Sequence, residues 1–430
     1  MPPQVSIASL SDKATQYAAL DQWIDAHFAE QVCFLQALIK VPTDTPPGNN
    51  TPHAMATASL LAEYGMTAEP HAVPDALVKA AGLESITNLI VKRPYASGGI
   101  TFALNAHGDV VPPGEGWQHD PYAGEVENGN LYGRAAAVSK GDFSTYVFAV
   151  RALEALGVRG VQLSGSIELH FTYDEEFGGE LGPGWLLSNH LTKPDLAMAA
   201  GFSYQVITAH NGCLQFEVTV HGKMGHAAVP TSGVDALYAA TKLMNALYGL
   251  NETYKTVTSQ VPGIDHPHIN IGLIQGGTNT NVIPGKVVLK LDRRMIPEED
   301  PVTVEQSIRD AIHAAVAQCP GASVDVERIL FARALKPLPG NAMLVSCLQQ
   351  HAAELFGESI PAVGTPLYAD ARLYCEAGIP VVLYGAGPRT VEESRAKQAD
   401  ERLLLEDLRR ATKVVARTCL DLMTQTSQAA

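Results

Sequence analysis

The chain has 430 residues, 46% of them hydrophobic and 17% charged, with a formal net charge of −15. That length exceeds what one hydrophobic core organises, so two domains are expected, and the apolar content excludes a disordered chain. The acidic balance, without a basic patch, argues against a nucleic-acid backbone or an anionic membrane as partner and leaves a small molecule or a dipeptide-like substrate.

Residues 21–39 carry apolar side chains at helical spacing, and the turn-rich stretch 42–52 ends that helix and leads into a second one. Runs at 88–91, 101–105 and 166–172 read as buried strands, with a helix at 143–156 between the last two. Strands alternating with helices imply an α/β fold, a mostly parallel sheet with helices on both faces. From 212 to 328 the order changes to strand 214–220, helix 234–250, strands 269–275 and 286–293, helix 302–318 and strand 323–329, which suits an inserted α+β sandwich. The alternation resumes with a helix at 343–355, a strand at 379–384 and a closing helix at 404–425. A discontinuous domain, 1–211 and 329–430, interrupted by a second, 212–328, fits this order.

The N-terminal segment lacks the basic stretch and apolar run of a secretory signal, and no stretch approaches the ~18 apolar residues of a spanning helix, so a soluble, cytoplasmic protein is expected. Cys33, Cys213, Cys319, Cys347, Cys375 and Cys419 form no C-x-x-C pair, which suits reduced, mostly packed thiols better than a disulfide frame or a zinc knuckle.

Three segments stand where open α/β sheets place their sites, beyond strand ends. In Asn105-Ala106-His107-Gly108-Asp109 a histidine precedes an aspartate by two residues, a spacing that aims one metal ligand while a carboxylate fixes its ring; a plain polar turn reads the same way. In Thr172-Tyr173-Asp174-Glu175-Glu176 adjacent glutamates divide labour, one facing a cation and the other acting as base on water, although a solvated acidic turn has the same composition. The third holds His226, followed later by Asn281 and Arg293. An imidazole, an amide and a guanidinium suit a developing oxyanion and a substrate carboxylate, while a histidine in a strand-to-helix turn serves equally as a cap.

In this order the segments, together with 117–122, 131–141 and the late glycine-rich stretch, resemble the dinuclear-zinc superfamily of acetylornithine deacetylase, succinyl-diaminopimelate desuccinylase, aminoacylase-1 and carboxypeptidase G. The resemblance covers nearly the whole chain. It implies a zinc-peptidase-like fold, an inserted dimerisation (lid) domain, a homodimer, and an amidohydrolase or peptidase-like enzyme cleaving an amide or related C–N bond in a small carboxylate-bearing substrate. It makes Glu175 the general base, His226 an oxyanion donor, Asp109 the partner of the His107 ring, and Asn281, Arg293, Tyr368, Asp370 and Arg372 candidates for substrate binding, with loop packing an equal reading for the last three.

The resemblance also implies zinc or another divalent metal. His107 and Glu176 match ligand positions, but Val138, Gly201 and Lys397 stand where the others belong. Ser139, Asp142, Ser203 and Asp400 lie near those gaps as substitutes. An altered metal centre and a metal-free polar site, with Lys397 offsetting carboxylate charge as a catalytic residue, both stay open. So do a non-hydrolytic lyase or isomerase and an inactive binding protein on the same scaffold.

Overall fold

The computed structural model describes residues 12–424, and the chain divides into two compact units. The first comprises the chain up to Thr208, Pro337–Ala362 and the part from Leu373 onward; the second comprises Ala209–Lys336 and Val363–Arg372. Against the expected borders, the second unit begins slightly earlier, ends later and takes in the short segment carrying Tyr368, Asp370 and Arg372.

An eight-stranded sheet runs in the order Ala68–Ala72, Thr87–Pro94, Ser164–Thr172, Ala96–His107, Leu196–Ala199, Val381–Leu383, Val206–His210, Ala362–Thr365. Ser164–Thr172, Ala96–His107, Leu196–Ala199 and Val381–Leu383 pair in parallel, and antiparallel strands extend the sheet beyond both ends of this set. The expected α/β fold with a mostly parallel centre is therefore present. In Ser164–Thr172 the two-residue period puts Ile167, Leu169 and Phe171 on one face, all fully buried, and Glu168 and His170 on the other. This buried polar pair is self-satisfied: His170 Nε2 lies 2.9 Å from Glu168 Oε2, and Tyr374 and Thr192 complete the bonding.

Helix Gly141–Val158 buries most of its side chains and packs against Lys13–Ile39 and Leu405–Met423. Phe143, Tyr146 and Phe148 are at most 1% exposed, each burial stabilising the fold by roughly 1.5–3 kcal/mol. The first helix starts at Lys13, well before the expected 21, because Asp12 caps it by accepting the Thr15 amide. The closing helix is described to Met423; its expected end at 425 lies outside the described residues, as do 1–11 and 426–430 of the expected domain ranges.

The second unit is a four-stranded antiparallel sheet in the order His268–Gly276, Lys286–Met295, Gly212–His221, Ser323–Ala332, with helices Ala236–Tyr254 and Pro301–Val316 packed together. Leu214, Phe216, Val218 and Val220, every second residue of its strand, form the buried face. Asp235 and Asp300 cap the two helices. Among the described residues no helix is long and apolar enough to cross a membrane. None of the six cysteines is in a disulfide; Cys213, Cys319 and Cys419 are buried, but Cys33 is exposed, so packing accounts for only part of the set.

Candidate active site

Ala96–His107 and Ser164–Thr172 are neighbours in parallel register, His107 opposite Thr172, so the segments following both emerge at the same sheet edge. Gly108 extends the pairing by one bond, its amide 2.8 Å from the Thr172 carbonyl, and only glycine fits there: a Cβ would meet the Tyr173 ring at 2.4 Å. The acidic turn that follows closes on Gly178 and Gly179, both at positive φ.

Asp109 is fully buried, beside the His107 ring as expected of its position, and also holds the acidic turn. Its carboxylate accepts the backbone amides of Glu175 (3.2 Å) and Glu176 (3.0 Å), clamping the acidic turn. Its backbone carbonyl lies 3.0 Å from His107 Nδ1, with the carboxylate at 3.5 Å. A carbonyl only accepts, so Nδ1 carries the proton and Nε2 faces Glu175 Oε2 at 3.9 Å. Burial and the like charges of Glu176 and Asp109 raise the Glu175 carboxyl against the opposing pull of His107 and Lys397. Burial disfavours a charged His107, yet Glu175, Asp109 and Glu176 together raise its pKa.

The Lys397 ammonium donates to Glu176 Oε2 at 2.6 Å, and Glu176 Oε1 is buried without a hydrogen-bond partner. The loop presenting the lysine holds three non-glycine residues, Arg395, Lys397 and Asp400, at positive φ (53°, 61° and 57°), a backbone that costs roughly 1–2 kcal/mol per residue. It is held in place by bonds that sequence reasoning missed. The Asp400 carboxylate accepts the amides of Gln118 and His119 at 2.9 and 3.1 Å. Fully buried Glu401 pairs with Arg134 at 2.7 Å and accepts the amides of Ala137 and Val138. Arg134 also donates to the Pro113 carbonyl and lies over the Trp117 ring.

Of the residues at the other expected ligand positions, Val138 brings no donor atom and Gly201 has no room for a side chain, since a Cβ would meet Tyr384 N at 2.7 Å. The oxygens that could have substituted are otherwise engaged. Ser139 bonds the His107 backbone, Asp142 accepts the Ala386 amide, Ser203 donates to the Gly385 and Gly387 carbonyls, and Asp400 is placed as above. Among the described residues no group of three or more His, Cys, Asp or Glu side chains is arranged to hold a metal ion.

In the second unit, exposed His226 pairs in antiparallel register with Val282, the Ala227 amide bonds the Asn281 carbonyl at 3.0 Å, and so the imidazole and Asn281 are neighbours. His226 Nδ1 accepts the Ala228 amide at 3.1 Å, a local turn bond that leaves Nε2 outward as a donor. Arg293 is placed otherwise than expected. It follows Val287, Leu289 and Leu291 on the buried face of its strand, is 1% exposed, pairs with Glu299 and lies over the Tyr254 ring, so its guanidinium is not presented to a substrate. Asp370 and Arg372 are also buried, and Arg294 lies over Tyr368 at 5.8 Å. Beside them His210, unremarked in the sequence, is buried within bonding distance of the Ala369 backbone, and burial lowers its pKa to about 4.

The model of Peptidase family M20/M25/M40 matches residues 103–421. The chain is 27% identical over 399 residues to a succinyl-diaminopimelate desuccinylase of Methylorubrum populi, covering 89% of this chain and 95% of that one. It is 29% identical over 320 residues to an acetylornithine deacetylase of Aliivibrio fischeri, covering 74% and 79%. Its fold matches an M20 family metallo-carboxypeptidase from Sulfolobus solfataricus with a TM-score of 0.75 at 16% identity, over 92% of this chain and 100% of that one.

Proposed function

Because the chain belongs to Peptidase family M20/M25/M40, whose members include amide-cleaving hydrolases, we propose that it hydrolyses an N-acyl amino acid or dipeptide-like amide with Glu175 as general base. The observation that carries this reading is the placement of Glu175: its backbone is clamped by Asp109, its carboxyl is raised by burial, and His107 and Lys397 face it. A base whose pKa approaches the working pH combines the right protonation state with driving force for taking a proton from water. Relatives named for desuccinylase and deacetylase activity support the substrate class, a short acyl group on an amine that also bears a carboxylate.

His226 is read as donor to the developing oxyanion and Asn281 as donor to the substrate carboxylate, roles that an exposed ring beside an exposed amide supports. Arg293 leaves this set because its fork is taken by Glu299, and burial of Asp370 and Arg372 favours packing over substrate contact, with Tyr368 beside them. The metal centre on this reading is atypical. Zinc sites take three or four protein ligands at about 2.0–2.3 Å, and with Val138 and Gly201 donor-free and Lys397 cationic, the residues present do not make such a set. The protein is read as a cytoplasmic homodimer. Six cysteines outside any disulfide suit a reducing compartment, and exposed Leu273 and Ile274 on edge strand His268–Gly276, with Leu237, Tyr238 and Tyr248 on helix Ala236–Tyr254, suit burial against a second copy.

The test is a panel of N-succinyl and N-acetyl amino acids and dipeptides incubated with the purified chain, with release of free amine as readout. Amine release that disappears in Glu175→Gln supports the proposal. No release from any member of the panel overturns it.

A further inference from the structure

Lys397 is held too deliberately for a loop lysine. Its loop carries three left-handed non-glycine residues within six positions and is fastened at Asp400 and Glu401 to the backbone of 118–119 and 137–138. Strain of this kind persists only where the surroundings over-determine it. What the loop presents is an ammonium 2.6 Å from Glu176 Oε2, with half of the lysine side chain still open to solvent. The position is one where the chemistry of the site calls for a cation, and the donors that would hold a divalent one are missing at Val138 and Gly201.

We propose that the Lys397 ammonium is this site's built-in cation: it occupies the seat of a divalent metal on Glu176 and donates to the carbonyl oxygen of the scissile amide. The catalytic half of this inference rests on the hydrolytic reading above. An ammonium has three N–H donors, and Glu176 takes one, so two remain for the substrate. The unpartnered Glu176 Oε1 accepts one hydrogen of the attacking water while Glu175 accepts the other. The water oxygen forms a bond to the carbonyl carbon as Glu175 takes its proton. The carbonyl π pair moves to the oxygen, where the ammonium stabilises it; on collapse the C–N bond breaks. Both protons of the water end on the nitrogen, leaving a carboxylate and an alkylammonium. A single positive charge polarises the carbonyl less than zinc does, so Lys397 is expected to serve amides already activated or held in strict alignment.

The experiment titrates zinc chloride calorimetrically into the chelator-treated full chain and into Lys397→Ala and Lys397→Met, with thermal unfolding of all three as the check on folding. Removing the ammonium frees Glu176 and removes a like charge, so zinc affinity is expected to rise about tenfold or more in both variants, while the wild type takes up no stoichiometric zinc. About two equivalents of zinc in the wild type, or equal affinity in all three proteins, overturns the proposal without reference to activity. On a substrate from the panel, wild-type turnover is expected to survive chelation, and Lys397→Ala to fall about 10²–10³-fold and to recover in part with added ethylammonium. Loss of turnover on chelation, or a variant that no amine restores, overturns the catalytic half. Absence of any hydrolysis by the wild type counts against the proposed function, while the zinc titration still decides whether the ammonium holds the cation's seat.

Discussion

The two units present their candidate functional side chains in opposite ways. At the strand ends of the first, Asp109 is fully buried and bonded to two backbone amides, Glu401 accepts from three donors, and even the lysine is delivered by a constrained loop. In the second, His226 and Asn281 stand exposed on a two-residue strand pairing and its neighbouring loop. Buried groups that fix one another act as a unit; exposed donors can be changed one at a time. Substitutions should therefore separate activity from stability differently in the two units.

The largest effect is expected from Glu175→Gln. The amide keeps the shape and the backbone clamp but cannot take a proton, so kcat should fall about 10²–10⁴-fold while the unfolding midpoint barely moves. Turnover on any cleaved panel substrate, measured beside thermal unfolding, checks it; a modest drop in kcat would remove the base from the buried unit and with it the contrast. Next is the pair behind it. Arg134→Met strands the buried Glu401 carboxylate, and breaking such a pair costs about 3–5 kcal/mol, read as a lower urea midpoint. Stability close to wild type would mean that the clamp is dispensable and that Lys397 owes its placement to something else. On the exposed side, His226→Ala should lower kcat/KM by about tenfold and leave unfolding within about 0.5 kcal/mol, the range of ordinary surface changes. A large stability loss there would dissolve the distinction between the units.

The same contrast governs what the sequence reveals. Strands such as Ser164–Thr172 and Gly212–His221 are legible because both the period of two and the apolar run survive in the letters, whereas Val126–Glu127, Asn130–Tyr132 and Arg402–Leu404 are too short to show any period. That His107, Glu175 and Glu176 lie near one another is legible because the segments carrying them follow strand ends. The Arg134–Glu401 pair is not, since its members are 267 positions apart and their burial depends on the whole fold. Arg293 teaches the reverse. It looks like a substrate donor within Asp292-Arg293-Arg294, yet its parity with Leu291 and Met295 already places it on the buried face. Periodicity held the answer, and the motif obscured it.

The smallest effect concerns a third region and asks whether dense bonding alone makes a site. The Asp421 carboxylate, on helix Leu405–Met423, accepts from Lys13 Nζ at 2.8 Å, Tyr17 OH at 2.7 Å and His351 Nε2 at 2.7 Å, tying three helices together. Burial pushes its pKa up, but these donors prevail and hold it at about 2. Because the folded value lies below the unfolded value near ~3.9, the contribution is fully present above about pH 4 and is lost as pH falls towards 2. Asp421→Asn should therefore cost on the order of 1 kcal/mol at pH 7, discounted for partial exposure, and the gap to wild type should narrow in urea melts run below pH 4. Its turnover should stay at the wild-type level at neutral pH. The cluster is bonded as thoroughly as the turn around Glu175 and its Lys13 ammonium is as open as that of Lys397, but both Asp421 oxygens are bonded, so it has no unpartnered carboxylate oxygen like that of Glu176. If Asp421→Asn lost activity at unchanged stability, bond density itself would be coupled to the reaction, and the line drawn between a structural network and a catalytic one would have to move.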